Sequence, residues 1–573
     1  MLRWLEGLRR NETRISLLLS LIIGALVGLV VVAFILLTGR LAARMYPAGG
    51  SGWRRVLVPA TGSLLTGYLL FRYFPFARGS GIPQTKFALF VADGVIHLRT
   101  VIGKFACCTM SLASGIALGR EGPSVQVGAG IASVLARRLG LNREQVKSLV
   151  PVGCSAALAA AFNTPIAAVL FSLEEILGDL HAPVLGAVVL SSATSWMVLH
   201  LVLGDDPLFH VPAYHLVHPV EFAFYAALGV VGGFGSVLFV QLLLQLRKWF
   251  ADLPKQTAWL QPVAGGLGVG LMGYFVPDVL GVGYNYVERV LNGNVVFQAV
   301  AMLAILKIVA TALCYASGNA GGIFGPSLFI GAMLGAAVGS VAHFFLPGYT
   351  ADPGAYALIG MGTAFAGIVR TPLTSVIMIF ELTRDYTIIV PLMISNLIAF
   401  FISYQLQREP IYEALAHQDG VHLPKVEHRA AYGRIRVATV MRPPPQAFAL
   451  STTVKDAAAA TAEGDLEAWP VAAGGKLLGM ISLADLQLAL LNGGEACELH
   501  DLGSFSDAVR ADFPHLHPDH TLSLGLERMG AANVKVLPIV SRADVRNLLG
   551  VVTLDDILRG LGVAGKDRDQ EAD

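Results

Sequence analysis

Charge is what this sequence has least of. Only 14% of its 573 residues are Asp, Glu, Lys or Arg, where soluble chains carry roughly a quarter. The 41 basic and 40 acidic side chains leave a formal net charge of +1, which gives no grip on a phosphate backbone, so nucleic acid is not an expected partner. Cysteine is scarce as well. Cys107, Cys108, Cys154, Cys314 and Cys497 form no CxxC pair, which excludes a disulfide framework and a zinc site and leaves them as small core residues. There is no Gly-rich Lys-Ser/Thr loop and no HExxH helix, so neither a phosphoryl-transfer pump nor a membrane hydrolase is indicated. The chain is not expected to be an enzyme, to hold a metal or to require a cofactor.

What is present in quantity is apolar: 54% of residues are hydrophobic and the mean hydropathy is +0.63. Ile15–Leu37 and Phe222–Leu246 carry no charge over 23 and 25 residues, each long enough to cross a hydrocarbon core. This is the composition of a multi-pass membrane protein in contact with lipid. Arg3, Arg9, Arg10 and Arg14 precede the first span and put the amphipathic N-terminus, residues 1–14, in the cytoplasm. The run that follows is too long for a signal segment and is read as retained.

The membrane part, 15–420, repeats itself. Shifting 104–129 by 203 positions onto 307–332 gives 11 identities in 26 positions without a gap, among them Lys104/Lys307, Gly119/Gly322, Gly122/Gly325 and Pro123/Pro326. Gly79-Ser80-Gly81 falls on Gly281-Val282-Gly283, Thr164-Pro165 on Thr371-Pro372, and Glu174 on Glu381. Residues 15–205 and 220–415 are thus two copies of one design. Paired Gly/Pro-interrupted apolar segments point to a midplane site between the copies. Beyond a linker at 421–436 the chain turns to short alternating strands and helices. Leu477–Asp485 is echoed by Leu548–Asp556, giving two α/β modules at 437–490 and 504–562, then a charged tail at 566–573.

Within the repeats, Gly119-Arg120-Glu121-Gly122-Pro123 sets a carboxylate where a charge costs several kcal/mol unless it works. The glycines free the backbone, the proline suits the start of a helix, and a helix start is an anion site. Gly79-Ser80-Gly81-Ile82-Pro83 offers a hydroxyl and amides; a helix-packing serine reads equally well. Gly322-Ile323-Phe324-Gly325-Pro326 replaces the Arg-Glu pair by apolar residues whose amides remain donors. Lys104 and Lys307 either raise the potential of a path or snorkel. At Glu174-Glu175, Glu174 has a repeat partner and reads as structural. Glu175 faces Leu382 in the repeat and reads as a proton acceptor or as a solvated helix-end acid.

Together the three motifs resemble those of the CLC chloride channels and chloride/proton exchangers, and the tandem modules resemble cystathionine-β-synthase-type (CBS) domains. The resemblance implies an α-helical inverted repeat of tilted and re-entrant helices, assembled as a homodimer with one ion path per subunit. It implies a chloride site from the hydroxyls of Ser80 and Tyr412 and the amides of Ile323 and Phe324, with Gly79, Gly81, Gly119, Arg120, Gly122 and Gly322 as path backbone. It makes Glu121 the gating acid and Glu175 the inner proton acid, which favours an antiporter of chloride and protons. Family branches preferring nitrate or fluoride change the serine position, so chloride is the expected anion. Gly325 stands where alanine is common.

Two other readings stay open at this point. One is a passive chloride channel on the same fold. The other is a regulatory sensor whose CBS pair binds an adenine nucleotide through Ser482 and Asp485 or Thr553 and Asp556, pairs that also suit helix capping. The location expected is a bacterial inner membrane with the CBS domains in the cytoplasm.

Overall fold

The computed structural model describes residues 12–47, 49–180, 183–205, 207–212, 216–294, 296–384, 386–421, 435–461, 466–502 and 513–561. They belong to two units, one ending at Leu423 and one beginning at Pro424. The expected arginines at 3, 9 and 10, the linker residues 422–434 and the tail from 566 lie outside the described residues.

In hydrocarbon every backbone amide must be satisfied within its own segment, so the apolar runs become helices. The first half contains α1 (Glu12–Met45), α2 (Arg54–Arg72), α3 (Ile82–Phe90), α4 (Leu98–Ala113), α5 (Glu121–Arg138), α6 (Arg143–Phe162), α7 (Pro165–Phe171) and α8 (Leu185–Leu203). The second half repeats the series as α9 (Glu221–Ala251), α10 (Gln261–Phe275), α11 (Tyr284–Leu291), α12 (Phe297–Ala316), α13 (Phe324–Phe345), α14 (Pro353–Val369), α15 (Pro372–Thr383) and α16 (Ile389–Leu406). A short α17 (Ile411–Gln418) closes the unit. Among the described residues seven helices are long and apolar enough to cross a membrane; α3, α7, α11 and α17 are short, of seven to nine residues each.

The halves meet by exchange of equivalent contacts. Gly119 donates to the carbonyl of Gly322 and Gly322 to that of Gly119, both at 2.7 Å. A residue that bonds its own repeat-equivalent reciprocally sits on a two-fold axis, and the fold is the inverted repeat expected. Small residues let the helices close on that axis. A Cβ on Gly128 of α5 would strike the carbonyl oxygen of Gly153 on α6, and one on Gly331 of α13 that of Gly360 on α14. Without a hydrophobic force between helices in lipid, such close backbone packing is the main source of association. Each proline lies in the first turn of a new helix, as expected: α5 and α13 begin at Glu121 and Phe324, two residues before Pro123 and Pro326. The first amides of a helix have no intrahelical partner, so proline is tolerated anywhere in that turn.

The second unit holds two modules. In the first, β1 (Phe448–Ala449) runs parallel to β2 (Ala468–Ala473), which pairs antiparallel with β3 (Lys476–Ser482); α18 (Val454–Thr461) and α19 (Leu483–Leu491) cover them, burying Val454, Trp469, Val471, Ile481 and Leu486. In the second, β4 (Val536–Val540) and β5 (Leu548–Thr553) pair antiparallel, with α20 (Leu522–Ala532) and α21 (Leu554–Gly560) over a core of Leu522, Met529, Leu537, Ile539, Val552 and Ile557. The Leu477 amide donates to the Arg546 carbonyl at 2.7 Å, tying one module to the other. Cys497 is exposed, unlike the other four cysteines, because it lies in this water-facing unit.

Candidate functional site

The interrupted helices leave their ends at the junction of the repeats. Gly81, at φ 105°, turns the chain into α3, a conformation only glycine adopts readily. The turn brings Ser80 against the second motif, where a Cβ on Gly122 would lie 2.5 Å from the Ser80 carbonyl oxygen. Lys104 fixes the loop from below, donating to the carbonyls of Ala77 and Gly79 at 3.0 and 2.6 Å. Lys307 does the same to Val279 and Gly281, at 3.0 and 2.6 Å. Both lysines are fully buried. Snorkelling is therefore wrong for them: the loop carbonyls left unpaired by the helix break are better partners than distant water.

Ser80 is buried with its Oγ unpartnered, and so is the Oη of Tyr412 at the start of α17. Tyr315 holds the loop from the other side, its hydroxyl accepting from the Ser80 amide at 3.3 Å. Ile323 and Phe324 open α13, where amides have no carbonyl four residues back to bond. The Phe324 ring packs between Phe162 and Phe365, centroids at 4.7 and 4.3 Å. Buried hydroxyls without partners are costly unless something occupies the space they face. Donors with no basic side chain among them suit a dehydrated anion that must also leave.

Glu121, fully buried at the first turn of α5, reaches across the repeat junction. Its Oε2 accepts from the Gly325 amide at 3.2 Å, at the start of α13 in the other half. Its Oε1 accepts from the Tyr284 hydroxyl at 2.5 Å. Arg120 Nε stands 4.0 Å from the same oxygen, its guanidinium against the Tyr284 ring. The carboxylate thus holds the kind of position, on a helix N-terminus, that an anion would take. Tyr284 escaped the sequence reading; its signal was its place immediately after the Gly281-Val282-Gly283 repeat of the serine motif. Phe209, buried, packs edge-on against it at 5.4 Å.

The second acid pair separates into two roles through a π-helical turn at Ser172–Leu177, a feature that often marks functional sites. Glu174 caps α15, accepting from the Thr374 amide at 2.8 Å and its hydroxyl at 2.7 Å. Glu381 caps α7 in return, accepting from Ile166 and Ala167 at 2.9 and 2.7 Å. Glu175 instead points inward and pairs with Lys86 of α3 at 2.9 Å, the two side chains 7% and 5% exposed. It is not a solvated helix-end acid. Lys86, also missed, lies within the charge-poor run after the serine motif, and Glu413 of α17 stands 3.8 Å from its Nζ.

Beside the Ser80 loop lies a cavity of about 500 Å³ lined by Arg78, Gly79, Gln84, Arg247, Tyr315 and Asp419 among others. Arg247 is engaged with Asp419 at 2.5 Å and with the Leu415 carbonyl at 3.2 Å, whereas Arg78 faces Asp419 only through its charge. In the second unit, Ser482 Oγ accepts from the Asp485 amide and Thr553 Oγ1 from the Asp556 amide, both at 3.1 Å. Each hydroxyl also donates to the carboxylate of its own pair, at 2.6 and 2.7 Å, and Asp556 further binds Arg442 through both oxygens at 2.8 Å. Ser482 and Thr553 cap the helices that follow them, and Asp556 completes a capping box with Thr553. No group of three or more acidic, His or Cys side chains among the described residues is arranged to hold a metal.

A family model described as "Voltage gated chloride channel" matches residues 62–404, and one described as "CBS domain" matches 437–492 and 505–562. A protein of Ralstonia nicotianae named as a ClcB-like chloride channel is 34% identical over 379 residues, 65% of this chain and 88% of its own. An H(+)/Cl(-) exchange transporter ClcA of Vibrio campbellii is 32% identical over 369 residues, 63% of this chain and 79% of its own. The crystal structure of a slow cyanobacterial Cl-/H+ antiporter superposes with a TM-score of 0.65 at 25% identity, covering 70% of this chain and 97% of its own. A family match over more than half the sequence, with three interrupted-helix motifs meeting at one repeat junction, makes this multi-pass membrane protein a member of the voltage-gated chloride channel (CLC) family that carries two CBS domains.

Proposed function

We propose that the protein exchanges chloride for protons across the membrane through a path gated by Glu121. The observation that carries this reading is the Glu121 carboxylate seated on the Gly325 amide of the opposite repeat, an anion position occupied by a titratable acid. Chloride binds at the unpartnered hydroxyls of Ser80 and Tyr412 and at the amides of Ile323 and Phe324. Arriving there, it displaces ionised Glu121, which takes a proton, loses its hold on the helix N-terminus and swings clear. The glycines of the three motifs and Arg120 shape the backbone of the path. Glu175 passes the proton inward. The relatives named as exchangers and the cyanobacterial antiporter support coupling to protons.

The subunits are proposed to pair as a homodimer in a bacterial inner membrane, with the N-terminus and the CBS domains in the cytoplasm. There the CBS domains regulate transport, with adenine nucleotide as the ligand to titrate. A passive chloride channel is the second reading; the buried Glu175–Lys86 pair favours exchange, since a channel has no use for a buried proton acceptor beside its path.

The test is proton movement into liposomes bearing the purified protein under a chloride gradient with voltage clamped. Uphill proton flux is expected. Chloride flux without it would make the protein a channel. Glu121→Ala is expected to keep chloride flux and abolish proton flux, and Glu175→Gln to do the same by stopping the relay; proton flux surviving in either removes that residue from the mechanism.

A further inference from the structure

Glu175 is 7% exposed and bound to a lysine that is 5% exposed. A buried acid cannot by itself collect protons from solution. The route outward from this pair leads to Glu413, whose Oε1 stands 3.8 Å from the same Lys86 Nζ and whose side chain is 25% exposed. Three elements distant in sequence converge here: α3 brings the ammonium, the π-turn brings Glu175, and α17 brings Glu413 one residue after Tyr412. The other charged groups nearby are Glu174, whose charge acts on Glu175, and Arg370, whose guanidinium acts on Glu413. Glu174 is bound to the start of α15, Arg370 donates to the carbonyls of Ser403 and Gln407, and His417, one turn along α17, is held to Glu409 at 3.3 Å.

Counting charge assigns the roles. With Arg370 and Glu174 counted, two cations and three carboxylates sum to −1 with no added proton, to zero with one and to +1 with two. At low dielectric the neutral state is favoured, so the group stores one proton. We propose that Glu413 is the proton-loading acid of this triad, the site at which a proton from the cytoplasm enters the exchange cycle; the inference rests on the antiporter reading. The carboxylate of Glu413 takes a proton from hydronium in the cytoplasmic solution and becomes a carboxylic acid, while Lys86 remains paired with Glu175. The proton then leaves the Glu413 oxygen for the Glu175 carboxylate, directly or over one water. Lys86 stays protonated and shifts its hydrogen bond from Glu175 to the newly ionised Glu413. Loading adds the one positive charge of the proton, the transfer to Glu175 leaves the total unchanged, and the lysine only turns from one carboxylate to the other.

The experiment measures proton and chloride fluxes together for the full-length protein in liposomes. Glu413→Gln is expected to cut proton flux by at least about ten-fold while chloride flux continues, and Glu413→Asp to restore proton flux with a shifted dependence on internal pH. A wild-type proton-to-chloride ratio in Glu413→Gln would overturn the proposal and return Glu413 to a structural partner of Lys86. If that variant moves neither ion, Glu413→Asp decides: an internal pH profile superposing on wild type overturns the proposal, and a displaced one supports it. Absence of proton movement in the wild type itself is a separate outcome, which overturns the antiporter reading and this inference with it.

Discussion

Gly325 lies where one added methyl group would press on the seat of the Glu121 carboxylate. A Cβ there would lie 2.9 Å from the Tyr284 hydroxyl and 3.0 Å from Glu121 Oε2. The residue is glycine because the carboxylate, the phenol and the α13 amide crowd into one spot. Gly325→Ala should loosen two hydrogen bonds to a charged group, each worth about 1.5–3 kcal/mol. On the gate proposed here, chloride flux then rises by about ten-fold, because the carboxylate is held less firmly in its seat. In a Tyr284→Phe background one of the bonds is already gone, so the two substitutions should be non-additive. Additive fluxes in the double variant would mean that the two residues do not share the carboxylate.

Among elements, helix starts carry most of the local chemistry. α7 and α15 are capped by glutamates from each other's repeat, so a charge that looks misplaced in an apolar run closes a helix that could not close itself. In the CBS unit the same device is local. Burial alone would raise the Asp556 carboxyl, but Arg442, the Thr553 hydroxyl and the Thr553 amide outweigh it and hold it below the usual aspartate range. A carboxyl depressed in the folded state stabilises that state above its unfolded value and loses the contribution as pH falls through the folded one. Protection of the α21 amides from hydrogen exchange, corrected for intrinsic rates, should therefore drop as pH falls below about 4. Asp556→Asn should lose about 1 kcal/mol of that protection at neutral pH and converge with wild type in acid. A constant gap between the two across the range would show that the cap does not depend on ionisation.

For the whole molecule the relevant field is that of the cavity beside Ser80. Asp419 is paired with Arg247 and also acts on Arg78, but with Arg78, Arg247 and Lys248 against one carboxylate the cavity lining keeps a net positive charge close to the serine loop. Such charge concentrates anions at the mouth of a low-dielectric path and is screened by salt. Arg78→Gln should raise the chloride concentration for half-maximal flux from that side a few-fold at low ionic strength, with little change in maximal rate and a smaller effect at high salt. An unchanged half-saturation would remove Arg78 from the approach path.

Several features were legible without coordinates because they are written as repetition. The identities between 104–129 and 307–332 gave the two-fold design, and the lack of a repeat partner singled out Glu175. Helix interruption followed from glycine and proline, and membrane insertion from the scarcity of charge. Composition and periodicity act along the chain, and so can be read along it. What the tertiary structure decided was partnership: Tyr284 on Glu121, Lys86 between Glu175 and Glu413, and Lys104 and Lys307 on loop carbonyls rather than at the lipid surface. It also decided that Ser482 and Thr553 both cap helices. In each case the partner is either far away in sequence or one of two that local spacing allows equally. Burial, which makes an unpaired polar group costly, is what selects between them, and burial exists only once the helices have packed.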